Sequence, residues 1–354
     1  MAYTTINKST EHFNTKLYTG TGSTQALTGV GFQPDWTWFK SRSGNNSHLL
    51  FDVVRGVTKG IYSNLSNAED NLADSLSSFD SDGFTLGADT GSGGGVNGNT
   101  NSMASWNWKA NGAGSANTDG DIASTVSVNT TSGFSIVKYT GNATDNASVG
   151  HGLGTAPKML IIKEITSTSN WGVWHQDLTD GGYRLSLQET TAQVSDTAFM
   201  GGGNRAIPTN SVFYLGSGGG GNSSSDNYIA YAFSEIKGFS KMGSYTGNGS
   251  TDGPFVYTGF KPAFVITKRI DSTGGGWGIN DNKRPNYNPE NLYLVANTNS
   301  VEASDGSWTM DLLSNGWKAR YNNGHFNASG GTYIYMAFAE APLVGTNGVT
   351  AKAR

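Results

Sequence analysis

Two pairs of residues have the types and spacing to do chemistry. Asp52 and Arg55 stand three residues apart and recur as Asp281 and Arg284. On a straight strand a spacing of three puts two side chains on opposite faces. A turn at the strand end would bring carboxylate and guanidinium together instead. Catalysis would need a further group beside each pair. The middle of the chain lacks both residues and carries His175 at the matching slot. A structural ion pair or turn cap is therefore the expected role of Asp52, Arg55, Asp281 and Arg284, and His175 is expected to hydrogen-bond within the scaffold.

Other candidates are weaker. The five histidines, His12, His48, His151, His175 and His325, form no His-x-x-x-His or His-Glu-x-x-His pattern, so no zinc site is expected. Glu69, Asp70, Asp74, Asp80, Asp82 and Asp89 offer oxygen ligands for calcium, but lack the spacing of a twelve-residue loop. A solvated face is the expected reading, and no cofactor is expected. Without cysteine, the chain has no disulfides, thiolate metal sites or thiol catalysis. Three glycine-rich loops, 91–95, 201–203 and 216–221, have no Gly-Lys-Ser/Thr and no helix after them, so turns are expected. Trp171, Trp277 and Trp317 adjoin glycines and are expected to be exposed, which makes them candidates for stacking on a glycan. Trp36, Trp38, Trp106 and Trp108 alternate along strands and are expected to line a core face.

The elements that must position these residues follow from composition and repetition. The 354 residues include 50 glycines and only 14% charged residues, against roughly 25% charged in an average globular chain. Gly, Ser, Thr and Asn suit short strands and tight turns. Three stretches open alike: Leu17-Tyr18-Thr19-Gly20, Lys138-Tyr139-Thr140-Gly141 and Ser244-Tyr245-Thr246-Gly247. Each is followed by an apolar run that ends in lysine, at Lys40, Lys163 and Lys268. Runs of that kind read as strands buried on both faces. The units close on alternating aromatic strands ending at Trp108, Phe233 and Phe338. The repeat length is that of a complete β-sandwich of about 100 residues.

The expected fold is all-β: three tandem jelly-roll-like (concanavalin-like) β-sandwich units. Residues 1–12 read as a polar lead-in, 13–110 as the first unit and 111–131 as a flexible Gly/Ser/Asn linker. The second unit is expected over 132–236 and the third over 237–344, with 345–354 as a tail. Ala68 to Leu76 is the one stretch expected to form a turn or two of helix. The first residues contain no apolar h-region, so no signal peptide is expected. No apolar run reaches ~18 residues, so no membrane insertion is expected. A net charge of −4 gives no footprint for nucleic acid. The first unit is rich in acids. The third is rich in bases, at Lys261, Lys268, Arg269, Lys283, Arg284, Lys318 and Arg320. Neighbouring protomers are expected to pair these two faces.

The stretches Phe51-Asp52-Val53-Val54-Arg55-Gly56-Val57-Thr58-Lys59 and Ser78-Phe79-Asp80-Ser81-Asp82-Gly83-Phe84-Thr85-Leu86-Gly87 resemble a module of bacteriophage virion proteins. The same pattern continues in Tyr245 to Phe260 and in Tyr333-Ile334-Tyr335-Met336-Ala337-Phe338-Ala339-Glu340. Over almost its whole length the chain is similar to an uncharacterised family of marine-phage tail-fibre-like and capsid-surface proteins. The resemblance implies a virion component without catalytic residues, located on the particle surface. Its partners would be other virion proteins and further copies of itself in a symmetric oligomer, a trimer or higher. A tail appendage contacting the host, a capsid decoration and a free-standing lectin-like module are the roles to separate.

Overall fold

The structure is a computed structural model and describes residues 4–345 and residue 350, apart from 219 and 286. The tail expected over 345–354 falls largely outside the described residues. The fold is all-β, and the one helical element among the described residues is a 3-10 turn, Ser9–Glu11.

Twelve strands form the common frame. In the first unit they are β1 (Phe13–Thr19), β2 (Trp36–Ser41), β3 (Leu49–Asp52) and β4 (Ser102–Trp108). In the second they are β5 (Phe134–Thr140), β6 (Met159–Glu164), β7 (Gly172–His175) and β8 (Asn227–Phe233). In the third they are β9 (Ser240–Thr246), β10 (Phe260–Arg269), β11 (Trp277–Asp281) and β12 (Thr332–Pro342). Each unit lays its last strand between its first and second, with the third strand outside the second: β1-β4-β2-β3, β5-β8-β6-β7 and β9-β12-β10-β11, all antiparallel. A smaller sheet accompanies each large one. These contain Gln25–Thr28 with Gly83–Leu86 and Leu76–Asp80, Ser148–Gly150 with Val212–Tyr214, and Phe255–Tyr257 with Gly316–Ala319 and Met310–Leu313.

Strand register makes the repeat quantitative. Trp36 faces Trp108 and Asp52; Met159 faces Phe233 and His175; Phe264 faces Phe338 and Asp281. Asp52, His175 and Asp281 are therefore one structural position. β2 and β6 are buried along their whole length, as the apolar runs imply. The first unit shows why. Phe39, Leu49 and Phe51 point into a core shared with Leu27, Phe84 and Leu86 of the small sheet. Trp36, Trp38 and Leu50 point the other way, into a core built from all three units.

Aromatic rings fill that central core. Trp36 lies 4.4 Å from Tyr231 and 5.7 Å from Phe134 of the second unit. Phe264 of the third unit lies 5.6 Å from Phe13 and 5.7 Å from Trp108 of the first. Phe233 and Phe338 join the second unit to the third at 6.0 Å. The second face of each sheet is thus covered by the other units and not by solvent.

Three expectations about the chain need correction. The lead-in is part of the body: Thr4, Ile6 and Ser9 are buried, and Ile6 enters the central core. The stretch 111–131 is not a flexible linker. Ser115–Asn117 and Ser124–Asn129 pair as strands, and the latter pairs with β5 along six residues. Val126 and Val128 alternate with polar residues there, a strand signal masked by the surrounding Gly, Ser and Asn. The stretch 68–76 forms no helix. Asp70–Asn71 pairs with Lys59–Gly60, and Leu76 opens a strand. Leu72 and Leu76 have helical spacing, but both are drawn into the inter-sheet core of the first unit.

Candidate functional site

The residues with chemical potential converge at the junctions between units. β3 ends in a turn, and the turn folds Arg55 back onto Asp52. Asp52 Oδ1 accepts from the backbone N–H of Val54 and Arg55, and Oδ2 accepts from Arg55 Nε at 2.6 Å. A second donor reaches Oδ2 from the neighbouring unit, the Tyr231 hydroxyl at 2.8 Å. Arg55 also donates to Glu69 and to the carbonyls of Leu50 and Lys59. At β11 the arrangement recurs. Asp281 Oδ1 accepts from Lys283 and Arg284 N–H, and Oδ2 accepts from Arg284 Nε at 2.6 Å and from Trp106 Nε1 of the first unit at 3.0 Å. Arg284 donates to Glu302 and to Ile279 O.

At the third junction His175 stands in for the carboxylate. Nδ1 accepts from Asp177 N–H at 3.1 Å, the same place in the turn that Val54 and Lys283 occupy, and Nε2 lies 3.3 Å from Tyr335 O of the third unit. The polarity across this junction is reversed, for a reason on the facing strand. Tyr231 and Trp106 occupy one register position, and the third unit has Met336 there. A thioether offers no donor, so the accessible partner is a carbonyl and the residue opposite must donate. Histidine donates; aspartate does not.

A second set of contacts runs the opposite way round, from each unit to the one before it. His48, Trp171 and Trp277 precede or begin β3, β7 and β11 at one register position. His48 Nε2 lies 3.1 Å from Val295 O, Trp171 Nε1 donates to Tyr62 O at 2.9 Å, and Trp277 Nε1 donates to Ser186 O at 3.0 Å. The first unit thus contacts the third, the second contacts the first, and the third contacts the second. The contacts close a ring.

Trp171, Trp277 and Trp317 are therefore buried, not exposed as their glycine neighbours suggested. Glycine makes room here. A Cβ at Gly172 or Gly278 would collide with the Phe199 or Trp308 ring lying over the strand. Trp317 packs beneath the small sheet between Phe326 and Tyr245. None of the three presents a face to a glycan. The lysines that close the apolar runs are also buried, a feature the runs did not reveal. Lys40, Lys163 and Lys268 each donate to the carbonyl of the next residue. Lys40 and Lys268 additionally hold carbonyls of the preceding unit in the ring, Asn299 and Thr191. Burial pushes all three ammonium groups down to about 8.

The junctions are shut. Asp52, Asp281 and His175 are fully buried, and Arg55 and Arg284 have 1% and 0% of their side chains exposed. Burial pushes the Asp281 carboxyl up, but Arg284, the Lys283 amide and the Trp106 indole outweigh it and hold the group below the usual range. The arrangement binds the units together.

Three buried histidines set a pH response. His48, His151 and His175 each accept a hydrogen bond at Nδ1, from Trp38 Nε1, Leu153 N–H and Asp177 N–H, and each has a carbonyl within reach of Nε2. That pattern assigns the neutral Nε2–H tautomer to all three. A proton on Nδ1 would break the accepted bond. Burial also disfavours the charge, lowering His175 to about 4 and depressing the other two. The unfolded chain thus takes up protons first as pH falls, and stability present above about 6.5 is lost between there and about 4. Each such proton adds a slope of about 1.4 kcal/mol per pH unit. His175→Asn keeps a donor toward Tyr335 O. Denaturant midpoints measured from pH 7.5 down to 4.5, values set by about the histidine range, should show a shallower fall for this variant than for the parent.

Several of the charged residues have partners within the chain. Glu69 pairs with Arg55 and Lys59; Asp82 accepts from Gly29 and Gly31 N–H; Asp89 accepts from Val96 and Asn97 N–H. In the third unit Lys261 pairs with Glu340, Arg269 with Asp271, and Lys318 and Arg320 with Asp252. Among the described residues, no three His, Asp or Glu side chains converge on a metal-sized site; Glu69 forms ion pairs, and Asp82 and Asp89 cap local turns.

Comparison with curated proteins and with solved structures returns no match. One family model matches residues 8–342, a span that takes in all three units and the junctions between them. The chain therefore belongs to the family described as domain of unknown function (DUF7483).

Proposed function

We propose that this protein is a non-enzymatic structural component of a bacteriophage particle, displayed on its surface as a tail appendage of the fibre type. The observation that carries the reading is the use made of its reactive residues: each buried Asp–Arg pair and each buried histidine is committed to a fixed hydrogen-bond set. The stretch Phe51 to Lys59, which resembles phage virion modules, coincides with the Asp52–Arg55 junction. The signature is thus an architectural one. In this reading each unit is a jelly-roll-like sandwich whose second face is given to the ring, and its outer loops meet other virion proteins, further copies and the host. Catalysis on host polysaccharide would call for a pair of carboxyl groups in a cleft, and the Asp and Glu side chains discussed above are engaged elsewhere.

Particle imaging tests this. Gold-labelled antibody against the chain should decorate the tails of purified phage particles. Decoration of the capsid lattice would overturn the tail assignment, and particles lacking the chain would overturn the virion reading altogether.

A further inference from the structure

The three units differ most where one side of the sandwich is open. In the second unit the first strand, β5, is covered by Ser124–Asn129, and Ile122 bridges to Val149 of the small sheet. In the third unit the equivalent strand, β9, is a sheet edge, and Phe255–Tyr257 is the edge of the small sheet beside it. Two adjoining depressions of about 490 and 360 Å³ lie along these edges and share Glu235, Lys241 and Tyr257.

The walls of this groove carry an unusual pair of aromatics. Phe255 and Tyr257 are 46% and 49% exposed, while Val256 between them is buried. Both rings therefore leave the same face of the strand. Register gives their counterparts as Ala26 and Thr28 in the first unit and Ser148 and Gly150 in the second. The third unit alone has rings at these two places. Lys241 Nζ donates to Tyr257 O at 3.0 Å and lies 5.4 Å from the centre of its ring, which helps hold the ring in place.

The rest of the lining narrows the ligand. An added β-strand would need the edge backbone of β9, but Met242 N–H already donates to Glu235 Oε1 at 2.9 Å and Met242 O accepts from Gln176 Nε2 at 2.6 Å. In the depression that holds both rings, Glu235 and Lys241 place one charge of each sign, and Lys237 lines only the adjoining one, so neither an anion nor a cation is favoured at the rings. What is left is a pair of ring faces beside a carboxylate, an amine and the Ser244 hydroxyl. Ring faces meet the C–H faces of a pyranose, and fixed polar groups meet its hydroxyls.

We infer that the groove between the second and third units binds a neutral saccharide, stacked on Phe255 and Tyr257 and hydrogen-bonded by Glu235 and Lys241. The inference does not depend on where the protein sits in a particle. The full chain is applied to immobilised neutral oligosaccharides of hexoses and N-acetylhexosamines, with sialylated and sulfated glycans as charged controls. Binding to at least one neutral saccharide is expected, and it should persist when salt is raised about tenfold, because no net charge is paired. The double variant F255A/Y257A should weaken it by about tenfold or more, with an unchanged denaturation midpoint because both rings are exposed. T28A, at the counterpart of Tyr257, should leave binding unchanged. Three results would overturn the inference: no binding to any neutral saccharide, binding to the charged glycans alone, or full binding by the double variant. A loss of self-association in that variant without saccharide binding by the parent would also overturn it, marking the groove as a protein interface.

Discussion

Asp281→Ala is expected to destabilise the chain by about 3–5 kcal/mol, the range for breaking a buried ion pair on one side. The substitution leaves the Arg284 guanidinium inside the protein with Glu302 as its remaining carboxylate, at 3.3 Å, and strips an acceptor from Trp106 Nε1. Two turn amides, of Lys283 and Arg284, lose their acceptor as well. Asp52→Ala should cost a similar amount, because Tyr231, Arg55 and the turn amides stand in the same relation to it. Removing both charges should hurt less than removing one. In D281A/R284M no uncompensated cation stays buried, and a thioether can occupy the apolar part of the arginine's path. Denaturant unfolding of the three variants and the parent measures this. A D281A midpoint within about 1 kcal/mol of the parent, the scale of a surface pair, would show that the junction contributes little.

The units should not fold alone. A chain ending at residue 236 keeps the first two units but exposes Phe13, Trp106 and Trp108, which Phe264 and Phe338 otherwise cover. It also loses the carbonyl partners of His48 and His175, at Val295 and Tyr335. Such a fragment is expected to aggregate or to bind hydrophobic dyes without a cooperative transition. The full chain should unfold in a single calorimetric transition despite its length, since the central core belongs to no one unit. Trp36→Ala, at the contact between the first and second units, should lower the whole transition by about 3–5 kcal/mol. Two separated transitions, or a soluble fragment that melts cooperatively, would refute the shared core.

The two expectations have a common physical origin. A five- or six-stranded sheet has two faces, and each small sheet covers only one. In the first unit Phe39, Leu49 and Phe51 are served by the small sheet, while Trp36, Trp38 and Leu50 have only the other units to meet. Burying polar groups at such contacts is costly unless each finds a partner. The Asp–Arg turns, the indole N–H groups of Trp106, Trp171 and Trp277, and the histidines supply such partners across the junctions, while the Trp36 and Trp108 indoles in the central core find none among the described residues.

Much of this was readable from residue order. Composition and turn residues pointed to an all-β chain. The recurring Tyr-Thr-Gly and the lysine-ended runs locate matching strands, and spacing alone shows the shared slot of Asp52, His175 and Asp281. Alternation placed Trp36, Trp38, Trp106 and Trp108 on core faces. These signals are local: they depend on neighbours in the chain and on strand period, so sequence carries them directly.

Other features depend on what arrives from far along the chain. Glycine beside Trp171 and Trp277 looks like an exposed turn until Phe199 and Trp308 are seen lying over the strand. The polar stretch 111–131 looks flexible until β5 offers it an edge to pair with. Nothing in the order of residues states that Asp281 will meet Trp106, 175 positions away, or that the second face of each sheet will be closed by the other units. Strand positions and turn chemistry were set by local pattern; burial, the ring of junctions and the open groove beside Phe255 and Tyr257 arise from the packing of three sheets against one another, where apolar area is removed from water between residues that no local pattern connects.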